Sequence, residues 1–266
     1  MTRNHRRAAI VSFAKYAVKK AFKEALAFYS EVNDIPRKKT PKVTDMKYFS
    51  KEEISCLLNL PNTTKKLGKR DAVLLSVLYS TGARAQEICD LTVNDICFGT
   101  TTVVKLVGKR NKARTIAIPQ NCAILLKKYL KSVGLDSNNV NDRKRHVFSS
   151  QLHEKMTISC VEEIVKKYIE MAKKVHPNLF QRKGYSPHSF RHSIAVHMLE
   201  CGESLVVIKA FLGHASIETT TIYAEVTPEL ANKYLRERGK TLDNVEIEEI
   251  ETKSLLPFLK ISSKSE

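Results

Sequence analysis

The stretch SPHSFRHSIAVHMLECGESLVVIKAFLGHASIETTTIYAEV, Ser186–Val226, reads as three short helices in series, near 188–201, 204–212 and 216–224. His188 follows Pro187 at a helix start, and Arg191 lies three residues on, on the same helical face. His214 follows Gly213 at the next boundary, and Tyr223 falls on the last helix. Taken singly, these residues have ordinary explanations: a histidine at a helix start is a cap or a solvated ring, and a helical tyrosine is core. Their crowding raises the question of a shared site.

Working outward, RDAVLLSVLYS from Arg70 is apolar nearly all round and predicts a buried helix. Thr81-Gly82 breaks it, and a short helix follows with Arg84, Glu87 and Ile88. TTVVKLVG and ARTIAI are rich in β-branched residues and flank the polar turn GKRNK, Gly108–Lys112, which predicts a β-hairpin with Lys109 at its basic tip. Ser50-Lys-Glu-Glu53 matches a capping box at a helix start. Further helices are expected over 120–133 and 157–175, and an amphipathic one over 228–238. Residues 4–30 read as one helix, with Ala8, Ile10, Phe13, Ala17, Phe22 and Leu26 on its apolar face and basic residues elsewhere. NDIPRKKTPKVTDMK, with two prolines and a basic cluster, is linker chemistry. The tail turns acidic (VEIEEIE) and then apolar (LLPFL). The expected fold class is α+β, mostly α: packed helices with a small antiparallel β-sheet or hairpin.

The chain has 266 residues, 42% of them apolar, which is ample for a packed core. No stretch approaches the roughly 20 apolar residues of a membrane span, and Lys15, Lys19 and Lys20 interrupt the N-terminal apolar run that a signal peptide would need. Cys56, Cys89, Cys97, Cys122, Cys160 and Cys201 show no paired ligand spacing, so reduced thiols in a cytoplasmic protein are expected. A formal charge of +17 points to a polyanionic partner, nucleic acid ahead of an anionic membrane surface.

A phosphodiester undergoing transfer spreads negative charge over its non-bridging oxygens. Paired arginine forks match that geometry. A nucleophile and a proton donor for the leaving alkoxide are also required. Arg84, Lys109, His188, Arg191, His214 and Tyr223 supply such parts.

At these residues the chain resembles the tyrosine recombinase (phage integrase, Xer-like) family. TGARAQEICDLTVNDI resembles the block carrying the first arginine. GKRNKAR resembles the β-hairpin lysine motif, with Arg110 in place of its usual glycine. PHSFRH matches the His-x-x-Arg box, LGH carries the next histidine, and the tyrosine follows at the family's spacing. The match covers about residues 44–240, and the LGHASIETTTIYAE run is closest to transposon- or element-borne integrases.

The resemblance implies site-specific recombination of DNA without a metal or other cofactor. Tyr223 would attack the scissile phosphate and form a 3′-phosphotyrosyl link. Arg84 and Arg191 would hold the non-bridging oxygens, and Lys109 would protonate the leaving 5′ oxygen. His188 would serve proton transfer at the tyrosine, and His214 would hydrogen-bond the phosphate. Lys112 and Arg114 are expected on the DNA backbone, and Glu87 as a structural residue that orients Arg84. His192 adjoins Arg191 and is expected to face away from it, for packing or a backbone contact. His153, His176 and His197 fit no motif.

The family also has an N-terminal core-binding domain. Residues 1–43 resemble only its last helix, so they are expected to be a basic helix and linker left from that domain. Residues 44–240 would form the catalytic domain, and 241–266 a tail that either exchanges between protomers or folds back as a helix on its own domain. The implied partners are double-stranded DNA, further copies of the chain in a synaptic tetramer, and accessory recombination proteins, in a prokaryotic, nucleoid-associated setting. The competing readings are a truncated, catalytically idle DNA-binding remnant or regulator, and a type IB topoisomerase.

Overall fold

A computed structural model describes residues 3–38, 46–108, 111–150 and 153–226. The expected helix over 228–238 and the tail lie outside the described residues. The chain divides into two compact units, Met1–Thr44 and Asp45–Glu266.

The first unit departs from the single expected helix. It holds two, α1 (Arg3–Lys20) and α2 (Phe22–Asp34), separated at Ala21, where φ is −140° and ψ is 75°. Arg7 on α1 donates to the carbonyls of Asn33 and Ile35, so the two helices run back against each other. No glycine or proline marks the break, which is why periodicity alone missed it. The turn is stabilised by packing: Ala14, small enough for close approach, is fully buried. Phe13, Tyr16, Phe22 and Leu26 remain exposed.

The second unit opens with α3 (Lys51–Asn59), whose start is the expected capping box: Ser50 Oγ accepts from the Glu53 N–H, and Glu53 accepts from the Ser50 N–H. The buried helix appears as α4 (Lys66–Thr81), with Val73, Leu74, Leu75, Val77 and Leu78 fully buried. It ends in the left-handed Gly82 and is followed by α5 (Ala85–Asp90). A 3-10 turn then leads into β1 (Ile96–Cys97), which joins the expected hairpin strands β2 (Val103–Val107) and β3 (Ala113–Ala117) in one antiparallel sheet, ordered β1-β2-β3. Val104 pairs with Ile96 on one side and Ile116 on the other. The two-residue β1 is too short to show a period in sequence.

Helices α6 (Gln120–Ser132), α7 (Ile158–Val175), α8 (Pro187–Glu200), α9 (Leu205–Leu212) and α10 (Glu218–Val226) complete the unit. The fold is mostly helical with a small antiparallel sheet. One large core runs from Phe49 and Leu57 through α4, β2, α6 and α7 to Phe190. Within it, buried Asp71 on α4 is paired with Arg70 and with Lys167 and Tyr168 on α7, so its charge is compensated. A smaller core joins α8, α9 and α10 through Ala195, Val196, Ile208, Leu212 and Tyr223.

Gly82 sits where these two cores meet. Its φ is +57°, and a Cβ there would lie 2.9 Å from Leu212 Cδ2 and 3.2 Å from Ile194 Cγ2. Gly82→Ala therefore combines left-handed strain with a clash. It is expected to lower the unfolding free energy by more than about 1 kcal/mol, measured as a reduced urea midpoint at unchanged slope.

Candidate active site

Arg191 is the organising side chain. It lies on α8 with no solvent exposure. Its Nη1 donates to the Gly82 carbonyl at 2.7 Å and its Nη2 to the Leu212 carbonyl at 2.6 Å. These carbonyls end α4 and α9, where the helix dipoles concentrate partial negative charge. Burial, and then the nearby guanidiniums of Arg84 and Arg114, push the pKa of Arg191 down to about 10, which still leaves it charged at neutral pH.

Two residues beyond Gly82, Arg84 stands at the start of α5 with a third of its side chain exposed. Its N–H donates to Glu87 Oε2 at 2.8 Å and its Nη1 to Oε1 at 2.9 Å. Glu87 also receives both terminal nitrogens of Arg114, from β3, at 2.9 Å each. Burial acts to raise the Glu87 pKa. The Arg114 hydrogen bonds, the Arg84 N–H and the two positive charges outweigh it and hold the carboxyl below its usual range.

Arg114, expected on the DNA backbone, has a partner within the protein. Its side chain is only a tenth exposed, and its forked end is spent on Glu87 rather than presented to a DNA backbone. Lys112 is exposed beside it. Lys109 falls outside the described residues. Gly108 packs against the same cluster: a Cβ there would lie 3.2 Å from Glu87 Oε1.

The histidines gather around Tyr223. His188 begins α8 and retains solvent exposure, yet the surrounding protein and then Arg191 and Arg84 hold its pKa below the ordinary value. One turn later, His192 sets its ring perpendicular to that of His188, with centroids 4.5 Å apart. The Nδ1 of His192 is 3.2 Å from the Tyr223 hydroxyl. His192 thus has a side-chain partner at the candidate nucleophile, where only packing or a backbone contact was expected. The available signal was the i, i+4 spacing from His188, which places both rings on one helix face. His214 Nδ1 is 2.9 Å from Thr220 Oγ1, and its ring lies parallel to that of Tyr223, centroids 6.4 Å apart.

Burial pushes both His192 and His214 down to about 4. The next contribution comes from His188 for the first and Arg191 for the second. Tyr223 is 1% exposed, and burial lifts its pKa to about 12 against the opposing pull of Arg191 and Arg84. At neutral pH the site therefore contains cationic arginines, neutral imidazoles and a protonated phenol.

His197 is instead structural, its Nδ1 2.9 Å from the Tyr79 hydroxyl. Among the described residues no group of three or more histidine, cysteine, aspartate or glutamate side chains is placed to hold a metal ion. No helix among them is long and apolar enough to cross a membrane.

A fold of packed helices with one small sheet, bringing two arginines, three histidines and a tyrosine together, defines a class that comparison with known proteins identifies. The phage integrase family matches residues 47–229, and the chain belongs to that family. It is 32% identical to a putative integrase/recombinase, y4rC, of Sinorhizobium fredii, over 85% of this chain and 65% of that protein. It is 34% identical to the tyrosine recombinase XerD of Chlamydia trachomatis, over 68% of this chain and 58% of that protein. The chain thus spans less than two thirds of these relatives' length. Among solved structures, XerH recombinase bound to its difH substrate superposes with a TM-score of 0.58 at 25% identity, covering 71% of this chain and 52% of that one.

Removing the shared carboxylate leaves the buried Arg114 charge uncompensated. Glu87→Ala is expected to cost about 3–5 kcal/mol of stability, read by urea unfolding. The histidines add a pH dependence. His192 and His214 have folded pKa values near 4, below the unfolded value of 6.5, so the unfolded chain binds protons that these rings refuse. Their contribution to stability is complete above pH 6.5 and is lost as pH falls toward 4. Thermal midpoints should fall across that window, and NMR titration should show both rings neutral until pH nears 4. A flat midpoint with ordinary histidine titrations would contradict the packing around Tyr223.

Proposed function

We propose that this chain carries out site-specific DNA recombination, cutting and rejoining strands through a 3′-phosphotyrosyl link at Tyr223. The observation that carries the reading is the convergence of Arg84, Arg191, His188 and His214 around Tyr223, from segments more than a hundred residues apart in sequence. The cluster of positive charge suits a phosphodiester whose transition state spreads negative charge over its oxygens.

The roles that the resemblance implies are compatible with the geometry of the described residues. Arg84, partly exposed and anchored by Glu87, meets one non-bridging oxygen. Arg191 supplies a fixed cation behind it. With His214 Nδ1 accepting the Thr220 hydroxyl, Nε2 carries the proton and donates to the phosphate. As the bond from Tyr223 Oη to phosphorus forms, the bond from phosphorus to O5′ breaks, and Lys109 gives the leaving oxygen its proton. The phosphotyrosyl link conserves the energy of the broken bond, so a second strand end can religate without a nucleotide cofactor. Because Tyr223 is 1% exposed, DNA binding has to open access to its hydroxyl.

The partner is double-stranded DNA, in keeping with the charge of +17. Further copies of the chain form the synaptic tetramer, and accessory recombination proteins set the outcome. Lys112, exposed on the hairpin, lies on the backbone path. The setting is prokaryotic nucleoid DNA.

A nicked suicide substrate, which loses its 5′ fragment after cleavage, tests the reading. The wild-type chain is expected to accumulate a covalent protein–DNA adduct, and Tyr223→Phe to bind the same DNA with no adduct. Wild-type protein that binds every candidate site but forms no adduct would establish the idle DNA-binding remnant instead.

A further inference from the structure

We infer that His192 is a catalytic residue of this site: its Nδ1 holds the hydroxyl of Tyr223 and accepts the phenolic proton as the tyrosine attacks. The inference rests on the reading of Tyr223 as the nucleophile.

The geometry is direct. His192 Nδ1 stands 3.2 Å from Tyr223 Oη, a weak but real hydrogen-bond distance that shortening during attack would strengthen. The ring is held in place from several sides. Its chain neighbour Arg191 is pinned to the Gly82 and Leu212 carbonyls. The His188 ring packs perpendicular against it, and the Tyr223 ring lies 5.7 Å away, centroid to centroid.

A phenol cannot attack phosphorus without losing its proton, and burial makes this one reluctant to ionise unaided. The other groups placed around it are poorly suited to take the proton. Arg84, Arg114 and Arg191 are cations with no lone pair to offer. Both oxygens of Glu87 are occupied by Arg84 and Arg114. His214 has its Nδ1 on Thr220. His192 stays neutral at neutral pH because of burial and of His188, Arg191 and His214 nearby, and in the tautomer protonated at Nε2 its Nδ1 carries the lone pair that faces the Tyr223 hydroxyl.

The step balances. The Tyr223 proton moves to His192 Nδ1, Oη bonds to phosphorus, the bond from phosphorus to O5′ breaks, and O5′ takes a separate proton from Lys109. The imidazolium lies close to the phosphate, whose negative charge offsets it. Religation reverses the path and returns the proton from His192 to Tyr223. His188, solvent-exposed and in ring contact with His192, then supports that ring instead of meeting the nucleophile itself.

The test uses the full chain on the nicked suicide substrate and compares His192→Ala, His192→Asn and Lys109→Ala. Asparagine can place a polar atom where Nδ1 stands but cannot accept a full proton, so it separates hydrogen bonding from proton transfer. Both His192 variants are expected to form adduct about 100-fold or more slowly, with added imidazole restoring part of the rate to His192→Ala. A substrate whose O5′ is replaced by sulfur needs no proton on its leaving group. On it, the Lys109→Ala defect should vanish and the His192 defects should persist. The inference is overturned if folded His192 variants cleave at the wild-type rate or faster, the latter marking His192 as a restraint on Tyr223. It is also overturned if their defect disappears with the sulfur substrate. A wild-type chain that forms no adduct on either substrate fails the strand-breaking reading itself, and this inference with it.

Discussion

The guanidinium of Arg191, clamped between the last carbonyls of two helices, is the constraint on which the site depends. Its hydrogen bonds to Gly82 and Leu212 draw the C-terminal ends of α4 and α9 onto one point of α8. Burying a charge this deeply is costly unless it is compensated. Here two helix dipoles and two short hydrogen bonds supply the compensation. Four residues of the candidate site take their places from it. Arg84 lies two residues past Gly82, His214 two residues past Leu212, and His188 and His192 flank Arg191 on its own helix. Both helix ends turn through left-handed glycines, Gly82 and Gly213, each packed so closely that an added Cβ would approach a neighbouring side chain within 3.1 Å.

Glu87 is the second node, and it sets the charge of the site. It sits among three arginines and neutralises only part of their charge, while binding two of them directly. Burial keeps the imidazoles of His192 and His214 neutral, and the nearby surplus of positive charge adds to it. The same surplus favours a phosphodiester. Burial and charge together set the protonation states of a site whose net positive charge suits the proposed polyanionic substrate.

Tyr223 shows how packing and chemistry meet. Its ring belongs to the small core between α8, α9 and α10, and its hydroxyl is aligned by His192. A proposed nucleophile held as a core residue is hard to ionise. In the proposed reaction, DNA binding supplies both access to the hydroxyl and a favourable environment for its charge.

Much of this was legible in the sequence because local physics dictates it. The capping box at Ser50, the buried run after Arg70, the hairpin strands around Gly108–Lys112 and the helix breaks at Gly82 and Gly213 are all nearest-neighbour or periodic signals. The residues proposed for the chemistry were legible through their motifs and order. What the sequence could not decide depends on groups meeting across long distances. The turn at Ala21 has no breaker residue and arises from two helices packing together. The two-residue β1 exists only because Ile96 and Cys97 find partners on β2. Arg114 looked like a surface cation until Glu87, 27 residues away, claimed it. His192 looked turned away from the site until α10 folded back and set Tyr223 beside it, 31 residues further along the chain. Sequence alone determined which side chains were present and which local elements carry them. The tertiary structure decided which of them share a hydrogen bond, because that depends on where buried charges find their partners.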